Sequence, residues 1–279
     1  MQGDNGSGGQ CTYSNDLIIG AADNWDRIQG YYGNISADVP PMQTGFVRIE
    51  ANNVTFDGFE VTGPSSSLYE QPTPPNHRAK LGVSGGNNIL FRHLYIHDIN
   101  STDDYCKAIT AWGGGSLTVQ NVLELSLACS PIKNSCHLNN PSITFVNCTF
   151  DRLGEDTYLG GFYRSGGSAN ISNSVWTDCG ATGFYYAGRS TDGPLDIDYS
   201  AFCDTTTPPD GGIYFFQVTP GIGCLIDKDP LYVDPLSDHH LQSGSPSIDT
   251  GDPDIVDYNG TPSDMGCYGG PYGDWDFEN

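Results

Sequence analysis

The stretch Ile143-Thr-Phe-Val-Asn-Cys148 decides the fold, because its pattern recurs along most of the 279-residue chain. Each copy is a short run of alternating apolar and polar residues that ends at a corner residue. The other copies are Val54–Phe59, Leu90–Leu94, Leu117–Asn121, Ala169–Ser174, Leu195–Ser200 and Gly221–Leu225. The corner residues, at steps of 35, 28, 26, 26, 26 and 26 residues, are Gly58, His93, Asn121, Asn147, Asn173, Tyr199 and Leu225. A nearly fixed step of this length predicts a solenoid in which each repeat forms one coil.

A second strand is predicted upstream of most corners. These strands are Lys80–Ser84, Ala108–Trp112, Gly161–Ser165, Gly183–Ala187 and Gly212–Phe216. Alternation directs one set of their residues outward, namely Gly82, Thr110, Tyr163, Tyr185 and Tyr214. The intervening coil, around Cys136–Leu138, does not align with this pattern. The two strand series predict an all-β protein built from stacked parallel sheets.

The chain divides into four predicted parts. Residues 1–10 form a flexible leader, and residues 11–45, which have no clear period, form an N-terminal cap over the first coil. The coils occupy residues 46–228 and include a Pro-rich insertion loop at residues 64–78. Residues 229–279 lose the period and become rich in Asp, Gly and Pro, which predicts a C-terminal cap.

The step and the Asn-favouring corner resemble the right-handed parallel β-helix of the pectate-lyase type over residues 46–228. The tail at residues 229–252, with Asp257–Gly260 and Asp264–Tyr268, is similar to the ending of secreted bacterial β-helix proteins. This resemblance implies a single-stranded right-handed parallel β-helix of about seven coils, with caps at both ends. It also implies an extracellular or cell-surface protein whose export signal has been removed, with or without a lipid anchor.

Composition narrows the function classes. The formal net charge of −23, with 34 acidic and 11 basic residues, argues against nucleic acid as a partner. No apolar run is long enough to predict a transmembrane segment. Nine cysteines without zinc-ligand spacing predict disulfides, for example between Cys129 and Cys136. Bridges between coils are predicted among Cys106, Cys148, Cys179, Cys203, Cys224 and Cys267. The odd count leaves one thiol unpaired or in an intermolecular disulfide.

The outward tyrosines Tyr163, Tyr185 and Tyr214 are the first candidate site. Equivalent residues on successive coils lie about 4.8 Å apart, so these rings would form a column. Aromatic faces with a hydroxyl group suit sugar rings, and Lys80 and Arg189 are assigned to the same ligand-binding surface. The alternative is a purely structural stack that stabilises the sheet.

Lys107, Arg164, Asp103 and Asp104 are the candidate catalytic residues. A polysaccharide lyase needs a basic residue to remove a proton and a cation to neutralise a uronate carboxylate, roles that Lys107 and Arg164 fit by type. The pair Asp103-Asp104 is similar to the paired carboxylates of polygalacturonase-type hydrolases. The alternatives are solvated surface charges for the cations and loop-forming residues for the aspartates.

Asp249, Asp252, Asp254 and Asp257 are the candidate metal ligands. Oxygen-rich clusters in Gly/Pro loops bind Ca²⁺, so a structural Ca²⁺ is predicted as the cofactor. The alternative is that these aspartates form turns through bonds to the backbone.

The leading functional prediction is a carbohydrate-interacting β-helix protein that binds a polysaccharide or cell-surface glycan along one sheet face. One alternative is an enzyme on an acidic glycan, with a polysaccharide lyase preferred to a glycoside hydrolase. Another alternative is a structural surface protein, an adhesin or filament subunit, that self-assembles. Whether the protein is an enzyme is left open.

Overall fold

The computed structural model describes residues 12–13, 17–20, 27–29, 42–63, 69–70, 78–99, 106–125, 134–139, 142–153, 161–165, 167–179, 185–187, 194–203 and 219–275. Within these ranges all regular elements are β-strands, numbered in chain order. No helix in this part of the chain is long and apolar enough to cross a membrane.

The first strands are β1 (Thr12–Tyr13), β2 (Leu17–Ile19), β3 (Arg27–Gln29), β4 (Met42–Gln43), β5 (Val47–Ile49), β6 (Thr55–Val61), β7 (Tyr69–Glu70) and β8 (Arg78–Ser84). The central strands are β9 (Ile89–Ile96), β10 (Cys106–Trp112), β11 (Ser116–Leu125), β12 (Asn134–Asn139), β13 (Ser142–Val146), β14 (Thr149–Asp151), β15 (Gly161–Ser165) and β16 (Ser168–Ser172). The last strands are β17 (Val175–Thr177), β18 (Tyr185–Ala187), β19 (Leu195–Asp198), β20 (Ala201–Cys203), β21 (Leu225–Ile226), β22 (Tyr232–Asp234) and β23 (Asp238–Leu241).

The chain alternates between two stacked sheets. Sheet A follows the order β1-β4-β6-β9-β11-β14-β17-β20-β21, and it also contains β3, β13, β16 and β19. Sheet B follows the order β18-β15-β12-β10-β8-β5-β2, with β7 antiparallel to β8. The pairs along both orders are parallel, as in β9–β11 and β10–β12. A separate antiparallel hairpin is formed by β22 and β23.

The structure confirms the predicted all-β, right-handed parallel β-helix class. Its fully developed part has about 4 turns, fewer than the seven coils expected. In these turns both sheets contribute strands of five residues or more, from β8 and β9 to β15 and β16. Shorter strands, such as β5 and β18, continue the stack on either side. Pairing also extends into the segment predicted as an N-terminal cap, since β2 pairs with β5 and β3 with β6.

The predicted corners are confirmed at six of seven positions. The left-handed conformation, with φ between 46° and 79°, occurs at Gly58, His93, Asn121, Asn147, Asn173 and Tyr199. Asparagine tolerates this region better than most residues, which explains its recurrence at the corners. The seventh corner was misplaced by two residues, because Gly223 rather than Leu225 has a positive φ (68°).

The interior is filled by columns of apolar residues in register. One column, fully or almost fully buried, contains Phe56, Phe91, Val119, Phe145, Ile171 and Ile197. A parallel column contains stacked rings, with Phe150 and Trp176 centroids 3.8 Å apart. Burial of these side chains supplies the main driving force for stacking the coils.

The disulfide prediction is wrong for every cysteine whose side chain the structure describes. No disulfide is formed by Cys148, Cys179, Cys203, Cys224 or Cys267. Burial raises the pKa of the Cys148 thiol to about 12, so it behaves as a small apolar core residue. The side chains of Cys106, Cys129 and Cys136 lie outside the described residues.

Candidate functional site

The predicted tyrosine column is displaced by two residues in the structure. On sheet B, Tyr163 pairs with Ala187, whereas Tyr185 pairs with Gly161. A shift of two residues keeps both tyrosines at register positions of the same face, but they do not pair directly. Tyr214 and Arg189 lie outside the described residues.

The part of the predicted ligand-binding surface that the structure describes, around Lys80, is buried. Lys80 has no exposed surface, and its Nζ donates a hydrogen bond to the Thr44 carbonyl oxygen. Thr110, at an outward register position on the next strand, is also fully buried. The expectation that Lys80 lies on an accessible face is therefore wrong.

The predicted catalytic residues do not share a register position. Lys107 pairs with Ala79 and Asn134, whereas Arg164 pairs with Leu138. Leu138 in turn pairs with Ala111, so Arg164 is four register positions from the Lys107 column and two strands away. Asp103 and Asp104 lie outside the described residues. Their catalytic roles remain predictions.

Two of the four aspartates predicted to bind Ca²⁺, Asp252 and Asp257, accept hydrogen bonds from backbone amides. Asp252 accepts the Asp254 amide at 2.9 Å, and Asp257 accepts the amides of Gly270 and Asp264. Such bonds are those of turn-forming aspartates. In the described part of the chain no three acidic, His or Cys side chains form a group suited to a metal ion. Ca²⁺ binding by Asp249, Asp252, Asp254 and Asp257 remains a prediction.

The corners divide the outer side of sheet A into two halves. Beyond the corners, apolar outward residues are covered by a C-terminal strap (residues 251–275) together with the β22–β23 hairpin. The cluster under this covered half joins Leu123 and Leu125 to Cys267 and Trp275. A neighbouring cluster joins Val175 and Ala201 to Tyr232 and Met265. The tail therefore lies along the side of the solenoid, a position that the predicted cap did not include.

Corner asparagines hold the strap through their amide groups. Asn121 Nδ2 donates to the carbonyl oxygens of Cys267 and Gly269, both at 2.8 Å. Asn147 Nδ2 donates to the Asp264 carbonyl oxygen at 3.0 Å, and the Asp252 amide donates to Asn173 Oδ1 at 2.7 Å. At each of these three corners, one asparagine thus both adopts the left-handed bend and binds the strap.

A buried ionic cluster anchors the far end of the strap. The fully buried Asp57 contacts Arg92 Nη2 at 2.8 Å and His93 Nδ1 at 2.9 Å. His93 Nε2 lies 3.0 Å from the Tyr272 carbonyl oxygen. The Arg92 guanidinium lies over the Tyr272 ring, 4.6 Å from its centroid. This geometry fixes Tyr272, which is 41% exposed, at one edge of sheet A.

A second buried cluster joins the β22–β23 hairpin to the solenoid. Asp151 accepts a bond from Thr177 Oγ1 at 2.6 Å and contacts Arg152 Nε at 2.6 Å and His239 Nε2 at 3.2 Å. Burial and the Asp151 charge raise the pKa of Tyr232 well above its usual value, because both disfavour the phenolate. Both clusters are enclosed, which fits a structural role better than catalysis.

The half of sheet A before the corners is accessible. This open face carries three columns of outward residues that alternate with buried ones. Its residues are Ser116, Thr118, Gln120, Ser142, Thr144, Val146, Ser168, Asn170, Ser172, Asp196 and Asp198. Hydroxyl and amide groups predominate, and the only charges among these residues lie at the C-terminal end.

The central side chains of the open face are available to a ligand. Thr118, Thr144 and Asn170 make no side-chain hydrogen bond anywhere in the described structure. Arg92 pairs in register with Gln120, so the Arg92–Tyr272 pair borders the N-terminal end of the face. The sequence contained the signal for this face, since most of the alternate positions before Asn121, Asn147 and Asn173 are polar.

A partly buried ionic group, in which only Asp98 is largely exposed, borders the covered half. His97 Nε2 contacts Glu60 at 2.8 Å and Nδ1 contacts Asp98 at 3.0 Å. Its ring stacks on Tyr95 at 4.2 Å. Partial burial lowers the pKa of His97, but the two carboxylates raise it by more, and the net shift is upward. Both ring nitrogens are occupied, which leaves His97 poorly placed as a general base.

Comparison with known proteins assigns no function, so the fold and the geometry of the site are the basis for proposing one. No protein-family model matches the chain, and no curated protein matches it.

Proposed function

We propose that the protein binds a neutral polysaccharide along the open face, at the cell surface or outside the cell. The observation that carries the proposal is the set of accessible hydroxyl and amide groups on this face, of which Thr118, Thr144 and Asn170 are engaged by no described group. Hydroxyl and amide side chains donate and accept hydrogen bonds, as sugar hydroxyl groups do. The open face therefore matches the chemistry of a glycan.

The repeat supports a polymeric ligand over a single sugar. Thr118 and Thr144 pair in register, as do Thr144 and Asn170, so similar groups recur at each coil. The spacing is about 4.8 Å, so an extended chain lying across the strands meets the same kind of group repeatedly. At the edge of the face, the half-exposed Tyr272 ring offers an aromatic surface to one sugar.

The charge distribution favours a neutral glycan. The net charge is −23, and Asp196 and Asp198 stand on the open face itself. Arg92 and Arg152 are paired with Asp57 and Asp151 respectively, and do not offer an uncompensated charge. An acidic polymer would be repelled by this surface. Lyase activity through Lys107 and Arg164 stays an alternative, as does a structural surface protein.

The pectate-lyase-like resemblance supports a carbohydrate ligand only at the level of the fold. Such folds carry many activities, so architecture alone does not transfer a reaction.

Co-sedimentation with insoluble neutral glycans (cellulose, β-glucan, mannan), beside polygalacturonate, tests the proposal. We expect retention on one of the neutral glycans. Replacing Thr118, Thr144 and Asn170 together by Ala should weaken it at least about tenfold, because each lost hydrogen bond is worth about 0.5–1.5 kcal/mol. The matched control replaces three exposed residues elsewhere, Leu236, Ser243 and Val256, by Ala and should bind as the wild type does.

Failure to retain any neutral glycan, or undiminished binding by the Thr118/Thr144/Asn170 variant, contradicts the proposal. Unsaturated products released from polygalacturonate would support the lyase alternative.

A further inference from the structure

A pocket lies away from the open face, between the β22–β23 hairpin and the C-terminal strap. It has a volume of about 230 Å³. The residues that matter for recognition are His240, Asp257, Tyr258, Asp264 and Tyr268. Pockets that combine apolar walls with a few polar groups are the usual form of small-molecule sites.

One wall of this pocket is a rigid aromatic pair. The rings of His240 and Tyr268 lie 3.9 Å apart and within 3° of parallel. Asp238 fixes the imidazole, since its Oδ1 lies 2.8 Å from His240 Nδ1. Tyr258, which is 61% exposed, adds a further aromatic ring at the rim. Such surfaces suit the carbon skeleton of a small ligand or the face of a cation.

Negative charge is concentrated beside this wall. Asp264 Oδ1 accepts the Asp249 amide at 2.7 Å, whereas Oδ2 makes no hydrogen bond within the described residues. Burial, together with the charges of Asp257 and Asp249, raises the pKa of Asp264 to about 6. A positive charge placed here would relieve the repulsion between these carboxylates.

We propose that this pocket binds a small primary amine, with its ammonium group at Asp264 and its carbon skeleton against the His240–Tyr268 pair. An aromatic wall beside a carboxylate is suited to an organic cation. A metal ion fits less well, because the described acidic, His and Cys side chains form no group suited to one. The site is separate from the open face and does not depend on the proposed polysaccharide function.

Titration with D-glucosamine, observed by amide chemical shifts and by calorimetry at about pH 7, tests the proposal. D-Glucose is the matched neutral probe. We expect saturable shifts around Tyr258 and Asp264 with glucosamine and none with glucose.

Asp264→Asn is the decisive variant, since it removes the charge and keeps an Oδ1 acceptor for the Asp249 amide. We expect about tenfold weaker glucosamine binding or more. Tyr258→Ala, at an exposed position, should also weaken binding, and Val256→Ala should not. Neither pocket variant should alter glycan co-sedimentation, which keeps the two proposals separable.

Equal responses to glucose and glucosamine would overturn the proposal, as would unchanged affinity in both Asp264→Asn and Tyr258→Ala. Absence of a glucosamine response, or the same local shifts with CaCl₂ alone, would also overturn it. If Asp264→Asn fails to fold, Tyr258→Ala and the comparison of glucosamine with glucose decide the outcome.

Discussion

The covered half and the open face of sheet A share one backbone repeat but differ in the polarity of their outward side chains. Beyond the corners, outward residues such as Leu123 and Val175 are apolar and lie under the strap. Before the corners, outward residues such as Thr118 and Asn170 are polar and accessible. The same coil thus carries an apolar, buried surface on one side of its corner and a polar, accessible surface on the other.

The difference shows that the outward residues, rather than the coil geometry, determine which surface becomes covered. An apolar strip of this size is unfavourable in water, so it must find a partner within the chain or in another molecule. The strap is that partner, and the corner asparagines hold it in place through hydrogen bonds. The open face needs no cover, and it is therefore free to bind a ligand.

Removing the strap's aromatic anchor should produce the largest effect. Trp275 is 2% exposed, packs on the Leu123 cluster, and donates from Nε1 to the Cys267 carbonyl oxygen at 2.7 Å. We expect Trp275→Ala to lower the free energy of unfolding by about 3–5 kcal/mol, because it leaves a cavity over the covered half. Urea denaturation measures the change.

Val256→Ala, at a position 52% exposed in the same strap, is the control and should change stability by less than about 0.5 kcal/mol. Equal effects of the two variants would mean that the strap does not stabilise the covered half.

The interior behind the covered half contains a carboxyl group with no partner. Glu124 has no exposed surface, and neither of its oxygens makes a hydrogen bond to any residue that the structure describes. Burial raises its pKa well above the usual value, so the folded state keeps the proton after the unfolded state has lost it. The tighter proton binding by Glu124 stabilises the folded state in full below about pH 4.3. Above that pH, this stabilisation falls by about 1.4 kcal/mol for each pH unit.

Glu124→Leu should therefore be more stable than the wild type near neutral pH, and the difference should grow with pH. Urea denaturation at several pH values between about 4 and 7 measures it. Parallel stability curves for the two proteins would show that Glu124 is not held as the neutral acid.

Two asparagines allow a direct test of the two halves. Asn121 donates to two strap carbonyl oxygens, whereas Asn170 stands exposed on the open face. Asn121→Ala should cost about 2–3 kcal/mol, because it removes two buried hydrogen bonds and places Ala in a left-handed conformation (φ 49°). Asn170→Ala should cost less than about 0.5 kcal/mol.

Asn121→Gly separates the two causes, since Gly accepts the left-handed backbone without strain but cannot bind the strap. If Asn121→Gly were as stable as the wild type, the hydrogen bonds to the strap would contribute nothing.

The sequence predicted the scaffold well because its determinants are local. Corners such as Asn147 and Asn173 were recognised from a residue type that tolerates a positive φ. The register between Tyr163 and Tyr185 was missed by two residues, because alternation fixes the face of a strand but not its axial position. Local pattern therefore located the sheets better than it located a binding column.

The strap could not be predicted from local pattern. Its contacts join residues far apart in sequence, such as His93 and Tyr272, which are separated by 179 positions. Its Asp, Gly and Pro residues indicated turns, and turns alone do not reveal the surface on which a segment lies. The polar alternation at Thr118 and Thr144 was readable, but it matched the general pattern of any solvent-facing strand.

The smallest expected effect concerns His97, at the border of the covered half. Its contacts with Glu60 and Asp98 raise its pKa, so the stabilisation is complete below the unfolded pKa of about 6.5 and is lost as pH rises through the folded pKa. His97→Gln should cost less than about 1 kcal/mol near pH 5 and less again near pH 8, because Asp98 is 70% exposed and its pair with His97 is screened by solvent. Denaturation at both pH values measures the difference, and a loss that grows with pH would contradict this account of the ionic group.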